Sequence, residues 1–188
     1  MKNLPNILTI SRLASLPVLL VLMFVKEPWA AWTALFLYTL GCITDYLDGY
    51  LARKMQIESA FGKFLDPIAD KIFVITVILC LVATHKLEGL WVIPPLLIIT
   101  REFLISGLRE FLGPKNISVP VSKLAKFKTG FQMTSLGFLI VGVYGDPVLA
   151  FTYISTLTWG HLIISVAAIL TVQTGWDYLK IGFKHLQD

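Results

Sequence analysis

Charged residues are scarce in this chain. They make up 15% of its 188 residues, whereas hydrophobic residues make up 56%, and a soluble globular domain carries nearer 25% charged residues. This scarcity excludes an ordinary soluble domain and predicts a membrane protein. Cysteine is also rare, because only Cys42 and Cys80 occur, with neither a metal-ligand spacing nor a disulfide framework. No repeat or linker divides the sequence, so a single transmembrane catalytic domain over residues 1–188 is expected.

The hydrophobic residues fall into six runs, and a helix needs about 20 apolar residues to cross a bilayer. The first run is short, so its helix is expected to begin earlier, near Leu8, and to carry Asn6 and Arg12 at its inner end. The predicted fold class is an all-α membrane protein with six transmembrane helices and an N-terminal interfacial segment. The runs are Leu13–Val25, Trp29–Leu51, Ala60–Thr84, Leu90–Phe111, Val121–Tyr144 and Leu149–Tyr178.

The basic residues predict the orientation of these helices. With the N-terminus inside, all 16 lysine and arginine residues except Lys26 and Lys86 lie on the inner side, which is the bias of cytoplasmic segments. Both termini are therefore expected in the cytoplasm. The net charge of +4 is assigned to a face that meets anionic lipid head groups and phosphorylated substrates, and no nucleic-acid partner is expected.

Four aspartates lie where the second run ends and the third begins. Asp45 and Asp48 are three residues apart and Asp66 and Asp70 are four apart, so each pair shares one face of a helix. The connection between the two runs is short, which makes the helices antiparallel neighbours and predicts that all four carboxylates converge near the cytoplasmic side. Small residues at Gly49, Ala52 and Gly62 allow a ligand or a backbone to approach closely.

Four unpaired aspartates are costly in a membrane. Each costs about 2.5–3.5 kcal/mol at the centre of a membrane helix, and Arg53 alone cannot neutralise them. Two divalent cations would balance their charge, and oxygen ligands suit hard ions such as Mg²⁺, Mn²⁺ or Ca²⁺. Two such ions can clamp a phosphate during its transfer. Helix caps in water, a cation pathway of a transporter and a proton relay are the alternatives, although the apolar outer halves of the runs argue against a transporter.

The aspartates and small residues resemble the motif D-x-x-D-G-x-x-A-R-x8-G-x-x-x-D-x-x-x-D of the CDP-alcohol phosphotransferase family, with all eight fixed positions present. The resemblance implies that Asp45, Asp48 and Asp66 bind two Mg²⁺ or Mn²⁺ ions that hold the pyrophosphate of CDP-diacylglycerol. It also implies that Asp70 is the general base and a further metal ligand. The cytidine and its phosphates are expected to contact residues of this motif, namely Asp45, Gly49, Ala52, Arg53 and Gly62.

Three further segments are similar to those of family members whose acceptor is sn-glycerol 3-phosphate. The first is N-x-x-T-x-x-R, which places Asn6, Thr9 and Arg12 in the nucleotide site. The others are R-E-x-x-x-S-x-x-R-E and K-x-K-T-x-x-Q, and they imply an acceptor-phosphate site formed by Arg101, Arg109, Lys126 and Lys128. Residue spacing agrees with an anionic acceptor, because residues 101 and 109 share one helix face about 12 Å apart along its axis, and both side chains bind phosphate well.

The resemblance therefore implies transfer of a phosphatidyl group to sn-glycerol 3-phosphate with release of CMP, in a bacterial cytoplasmic membrane and by a homodimer. Structural charges within a helix bundle are the alternative interpretation of Arg101, Arg109 and the lysines. Other acceptors remain open within the same chemistry, as in the synthases of cardiolipin, phosphatidylserine or phosphatidylinositol phosphate. A divalent-cation transporter and a catalytically inactive homologue are the rivals from other classes, and the intact Asp70 argues against the latter.

Overall fold

Six α-helices form most of the part of the chain that the structure describes, as predicted. The structure is a computed structural model that describes residues 4–55, 60–113 and 123–186, without the side chains of residues 4–6, 46, 48–55, 60, 61, 63, 123, 125, 126, 177, 179 and 181–186. Within those ranges there is no β-strand. The helices are α1 (Leu4–Phe24), α2 (Pro28–Met55), α3 (Ala60–Ala83), α4 (Ile93–Leu112), α5 (Lys123–Val141) and α6 (Thr156–Leu186).

Within the described residues, three helical segments are long and apolar enough to cross a membrane by length and composition, and the second includes the 3₁₀ turn Gly89–Val92 that precedes α4. The segments are Ile7–Phe24, Gly89–Leu112 and Thr156–Trp176. Large apolar side chains are also exposed along other helices, for example Phe36 on α2 and Leu79 on α3. Such extensive exposed apolar surface is unfavourable in water and is expected where lipid covers the protein. That all six helices cross the bilayer stays a prediction.

The first helix is continuous from Leu4 to Phe24, although Pro17 lies inside it. The predicted N-terminal interfacial segment is therefore the beginning of α1 itself rather than a separate element. This start agrees with the requirement that the helix begin before the first apolar run, and it places Thr9 and Arg12 on the same helix as that run.

The last helix begins later than the hydrophobic run predicts. The run starts at Leu149, but residues Gly142–Gly145 and Ala150–Thr152 form short 3₁₀ turns, and α6 starts only at Thr156. The Asp146 carboxylate accepts a hydrogen bond of 2.7 Å from the backbone N–H of Thr156. This contact satisfies one of the free donors at the helix start and places negative charge beside the positive end of the helix dipole.

Pro67 lies well inside α3, which begins at Ala60, and not in the first turn, where proline is most readily tolerated. Proline there supplies no N–H to the helix ladder, and the Pro67 carbonyl accepts a hydrogen bond of 3.1 Å from Lys71 Nζ.

The chain divides into two compact units, of which the first comprises Met1–Leu87 and Gly137–Leu157. In this unit α1 packs against both α2 and α3. The Phe73 side chain of α3 packs against α2 at Gly41, because a Cβ atom there would lie 2.7 Å from Cζ of Phe73. The Phe73 ring in turn stacks on Tyr38 at a centroid distance of 5.7 Å, so a small residue and two aromatic rings form one tight contact.

The second unit comprises Glu88–Leu136 and Thr158–Asp188. Its core includes Ile98 and Leu112 of α4 and Ile164 of α6, all fully buried. Two prolines in the first turn of α4, Pro94 and Pro95, occupy positions where their missing N–H groups cost little. The single catalytic domain stays a prediction.

Candidate active site

Two side chains of α1 contact predicted metal ligands on α2 and α3. Thr9 is completely buried and donates a hydrogen bond of 2.9 Å from its hydroxyl to Oδ1 of Asp66. Arg12 is 3% exposed and forms an ion pair through NH1 with Oδ1 of Asp45. The first unit therefore brings together four of the predicted site residues. The two α1 residues, which were predicted for the nucleotide site, contact carboxylates in this structure.

The fourth aspartate of the motif lies near the same end of the α2–α3 pair. Asp70 is half-buried on α3, one turn beyond Asp66. Phe73, three residues beyond Asp70, packs against Gly41 of α2, and Asp45 lies one turn beyond Gly41. The convergence of Asp45 and Asp70 stays a prediction.

A complete metal centre is not assembled by the side chains that the structure describes. Among them, and without the side chain of Asp48, no group of three or more histidine, cysteine, aspartate or glutamate residues could hold a metal ion. Asp45, Asp66 and Asp70 nevertheless supply only carboxylate oxygens, which suit a hard cation such as Mg²⁺ or Mn²⁺. The metal role of the four aspartates stays a prediction.

Several predicted site residues cannot be compared with the structure. The side chains of Asn6, Asp48, Gly49, Ala52, Arg53 and Lys126 lie outside the described residues. Gly62 is described and is buried one turn before Asp66 on α3. The contacts that all these residues are predicted to make with the nucleotide or with the acceptor phosphate therefore stay predictions.

The predicted acceptor residues of the second unit gather around Glu102. Its Oε1 atom accepts a hydrogen bond of 3.0 Å from NH1 of Arg101 and also pairs with Nζ of Lys128, which is 4% exposed. Arg101 NH2 donates to the Thr174 hydroxyl on α6 at 3.4 Å. The structure therefore brings two of the predicted cations onto a single carboxylate.

A third cation joins this group through Tyr178 of α6, which is 4% exposed. The phenol oxygen accepts a hydrogen bond of 3.4 Å from NH2 of Arg109. Cζ of Arg101 and Cζ of Arg109 lie 5.1 and 5.3 Å from the centroid of the same ring. We call these residues the basic cluster: Arg101, Glu102, Arg109, Lys128, Thr174 and Tyr178.

Sequence reasoning did not find the α6 members of the basic cluster. Neither Thr174 nor Tyr178 is among the site residues that the sequence predicts. One local signal exists at Gly175, the residue after Thr174, because a Cβ atom there would lie 3.0 Å from Cγ of Arg101. A glycine at that position lets the stem of Arg101 lie against α6.

Comparison with known proteins assigns the class. A model of the CDP-alcohol phosphatidyltransferase family matches residues 2–173, and the chain belongs to this family. It is accordingly an all-α membrane enzyme that carries out phosphatidyl transfer, as the motif around the aspartates predicted.

Curated relatives match nearly the full length. A CDP-diacylglycerol–glycerol-3-phosphate 3-phosphatidyltransferase of Rickettsia bellii is 45% identical over 98% of this chain and 97% of that protein. A protein with the same name from Cereibacter sphaeroides is 37% identical over 99% of this chain and 98% of that protein. A cardiolipin synthase (CMP-forming) of Oryza sativa is 41% identical, but the match covers 73% of this chain and 45% of that protein.

Proposed function

We propose that this protein transfers the phosphatidyl group of CDP-diacylglycerol to sn-glycerol 3-phosphate and produces phosphatidylglycerophosphate and CMP. The full-length relatives carry the name of this reaction. The observation that carries the choice of acceptor is the basic cluster, where three cations accompany the single carboxylate of Glu102. The excess of positive charge among these residues matches a phosphomonoester dianion.

The basic cluster retains capacity for an added anion. Nε of Arg101 is buried and has no hydrogen-bond partner among the described residues. A guanidinium group has five donors, so Arg101 is not saturated by its contacts with Glu102 and Thr174. A phosphate group supplies the acceptors that such a guanidinium prefers. In this proposal Arg101, Arg109, Lys126 and Lys128 bind the phosphate of the acceptor.

The reaction forms one phosphorus–oxygen bond and breaks another. A free hydroxyl of glycerol 3-phosphate attacks the phosphorus that carries the diacylglycerol, and the bond between that phosphorus and the CMP oxygen breaks. Asp70, the general base that the family motif implies, takes the proton of the attacking hydroxyl. To do so, its carboxylate must lie within hydrogen-bond reach of that hydroxyl when the acceptor is bound. The cytidine and its phosphates contact Asn6, Thr9, Arg12, Gly49, Ala52, Arg53 and Gly62, together with Asp45.

Asp45, Asp48, Asp66 and Asp70 would hold two divalent cations, Mg²⁺ or Mn²⁺. Bound there, the cations would supply positive charge to the phosphates as the bonds exchange. Thr9 and Arg12 orient two of these carboxylates from α1. Glu102 holds Arg101 and Lys128 beside the acceptor phosphate.

The distribution of lysine and arginine supports an orientation with both termini in the cytoplasm. We propose that all six helices cross a bacterial cytoplasmic membrane, with residues 1–188 as one catalytic domain and the active site on the cytoplasmic side. The lipid tails of CDP-diacylglycerol remain in the bilayer while its head group reaches the aspartates. The functional form is a homodimer.

The experiment that tests this function measures CMP release by the purified protein in detergent. CDP-diacylglycerol and Mg²⁺ or Mn²⁺ are supplied with one acceptor at a time: glycerol 3-phosphate, serine, inositol phosphate or phosphatidylglycerol. Metal-dependent CMP release with glycerol 3-phosphate alone, abolished in Asp70→Asn, is the expected result. Turnover with phosphatidylglycerol instead would favour the reaction named for the Oryza sativa relative. If the folded protein releases no CMP with any of the four acceptors, the proposed activity is contradicted.

A further inference from the structure

The ring of Tyr178 contacts two like charges. Cζ of Arg101 is 5.1 Å and Cζ of Arg109 is 5.3 Å from its centroid, although the two arginines are eight residues apart on α4. An aromatic face attracts a guanidinium group, so one buried ring interacts favourably with both cations. Without such a partner, two guanidinium groups would separate because like charges repel.

The contacts of α6 hold each arginine by more than one atom. The Tyr178 hydroxyl accepts a hydrogen bond from Arg109, and the Thr174 hydroxyl accepts one from Arg101. Residues 174 and 178 are one turn apart and therefore share a helix face. Between them, Gly175 leaves room for the stem of Arg101, since a Cβ atom there would lie 3.0 Å from its Cγ.

The ion pairs of Glu102 do not explain why Arg109 contacts Tyr178. Glu102 pairs with Arg101 and Lys128, whereas the contacts reported for Arg109 in this cluster are with Tyr178. A neutral ring thus interacts with both guanidinium groups without cancelling their charge. That arrangement favours a site that is preorganised for an anion, because side chains already held in place lose less freedom when the ligand binds.

We propose that Tyr178 is a positioning residue that holds Arg101 and Arg109 together for the phosphate of the acceptor. This inference rests on the proposed function, in which these arginines bind that phosphate. Tyr178 itself needs no contact with substrate. Its effect is therefore confined to the affinity for the phosphorylated acceptor and does not extend to CDP-diacylglycerol.

The test measures KM for glycerol 3-phosphate and KM for CDP-diacylglycerol in wild type, Tyr178→Phe and Tyr178→Leu. The leucine variant loses the ring and the hydroxyl, and its KM for glycerol 3-phosphate is expected to rise roughly 10-fold or more, as the loss of cation–π contacts permits. The phenylalanine variant keeps the ring and should show a smaller rise. In both variants KM for CDP-diacylglycerol should stay within about twofold of wild type. This change is much smaller than the roughly 10-fold rise expected in KM for glycerol 3-phosphate.

Trp176→Leu is the matched control. Trp176 lies on the same helix and also has a cation over its ring, Lys180 at 5.7 Å, but it is exposed. Its replacement should leave both KM values unchanged. The control separates loss of the Tyr178 contacts from a general weakening of the C-terminal part of α6.

Each outcome distinguishes this inference from the proposed function. If wild type does not use glycerol 3-phosphate, the proposed function fails before Tyr178 is considered. If wild type uses it but Tyr178→Leu changes only kcat, or changes both KM values equally, the function stands and the positioning role is wrong. If Tyr178→Leu does not fold, Tyr178→Met replaces it in the same measurement. Should neither fold, Tyr178 is a packing residue and the inference is overturned.

Discussion

The hydroxyl of Thr9 on α1 donates a 2.9 Å hydrogen bond to the carboxylate of Asp66 on α3, across 57 residues of sequence. Thr9 is completely buried, and Asp66 belongs to the motif predicted to bind metal. The contact gives α1 a direct role in orienting a carboxylate. In metal sites, such outer contacts fix the direction of the ligand and contribute to metal affinity.

Thr9→Val preserves the shape of residue 9 and removes this hydrogen bond. A hydrogen bond to a charged group is worth about 1.5–3 kcal/mol, so the Mg²⁺ or Mn²⁺ concentration for half-maximal activity should rise roughly 10-fold or more. Metal titrations of CMP release at saturating substrates measure this shift. Ser11→Ala is the control, because the exposed Ser11 hydroxyl bonds only to the Leu8 carbonyl of its own helix in the contacts described. An altered KM for CDP-diacylglycerol with unchanged metal dependence would instead favour the nucleotide role of Thr9.

Gly41→Ala should disturb the contact between α2 and α3. The added Cβ atom would lie 2.7 Å from Cζ of Phe73, and overpacking of this kind typically costs about 1–3 kcal/mol. A lower Tm and reduced CMP release are expected, because Asp45 lies one turn beyond Gly41 on α2. Thermal unfolding in detergent measures the first effect.

Two further variants test the steric cause of that loss. Phe73→Leu in the Gly41→Ala background removes the obstructing ring atom and should restore part of the Tm. Gly107→Ala adds the same methyl group to α4 where no heavy atom lies within 4 Å, and alanine is about 1 kcal/mol better than glycine in a helix. Its Tm should therefore stay equal or rise. Equal losses in Gly107→Ala and Gly41→Ala would rule out the steric explanation.

Lys86→Met should lower Tm by removing a helix-terminal contact. The Lys86 amine donates a hydrogen bond to the Ile140 carbonyl in the last turn of α5, where carbonyl groups lack partners in their own helix. Burial lowers the pKa of Lys86. At a pH between this lowered pKa and the ordinary value of about 10.4, the unfolded chain binds more protons at residue 86 than the folded chain. Stability contributed by Lys86 therefore increases as the pH rises through that window.

Thermal unfolding across the alkaline range checks this prediction. The Tm difference between wild type and Lys86→Met should widen as the pH rises, whereas Lys26→Met should follow wild type, because Lys26 is exposed. A constant difference between wild type and Lys86→Met at every pH would show that the burial of the amine does not affect stability.

Much of the fold could be predicted from the sequence, because membrane helices leave long apolar runs. Five of the six helices begin and end close to the predicted runs once the early start of α1 is allowed for. The predicted start of α6 was wrong because the stretch before Thr156 is apolar although it is not part of the helix. Tyr153, for example, has a left-handed φ of 56° within the apolar stretch before Thr156.

The contacts of the candidate site were harder to predict. The spacing of Asp45, Asp66 and Asp70 predicts that they are site residues, but it predicts no side-chain partner for Thr9 or Arg12. In a soluble helix, hydropathy shows which face is buried, whereas lipid is as apolar as a protein interior and hides the rotation of each helix. The contact of Tyr178 with two arginines depends on that rotation.

The stacked rings of Tyr38 and Phe73, with Gly41 packed against Phe73, have a consequence for how this interface can vary. The space that a side chain at position 41 would occupy is taken by the ring of Phe73, so a larger residue at position 41 requires a smaller one at position 73. The free-energy effects of substitutions at these two positions are therefore expected to be non-additive, because residues in direct contact share the same space.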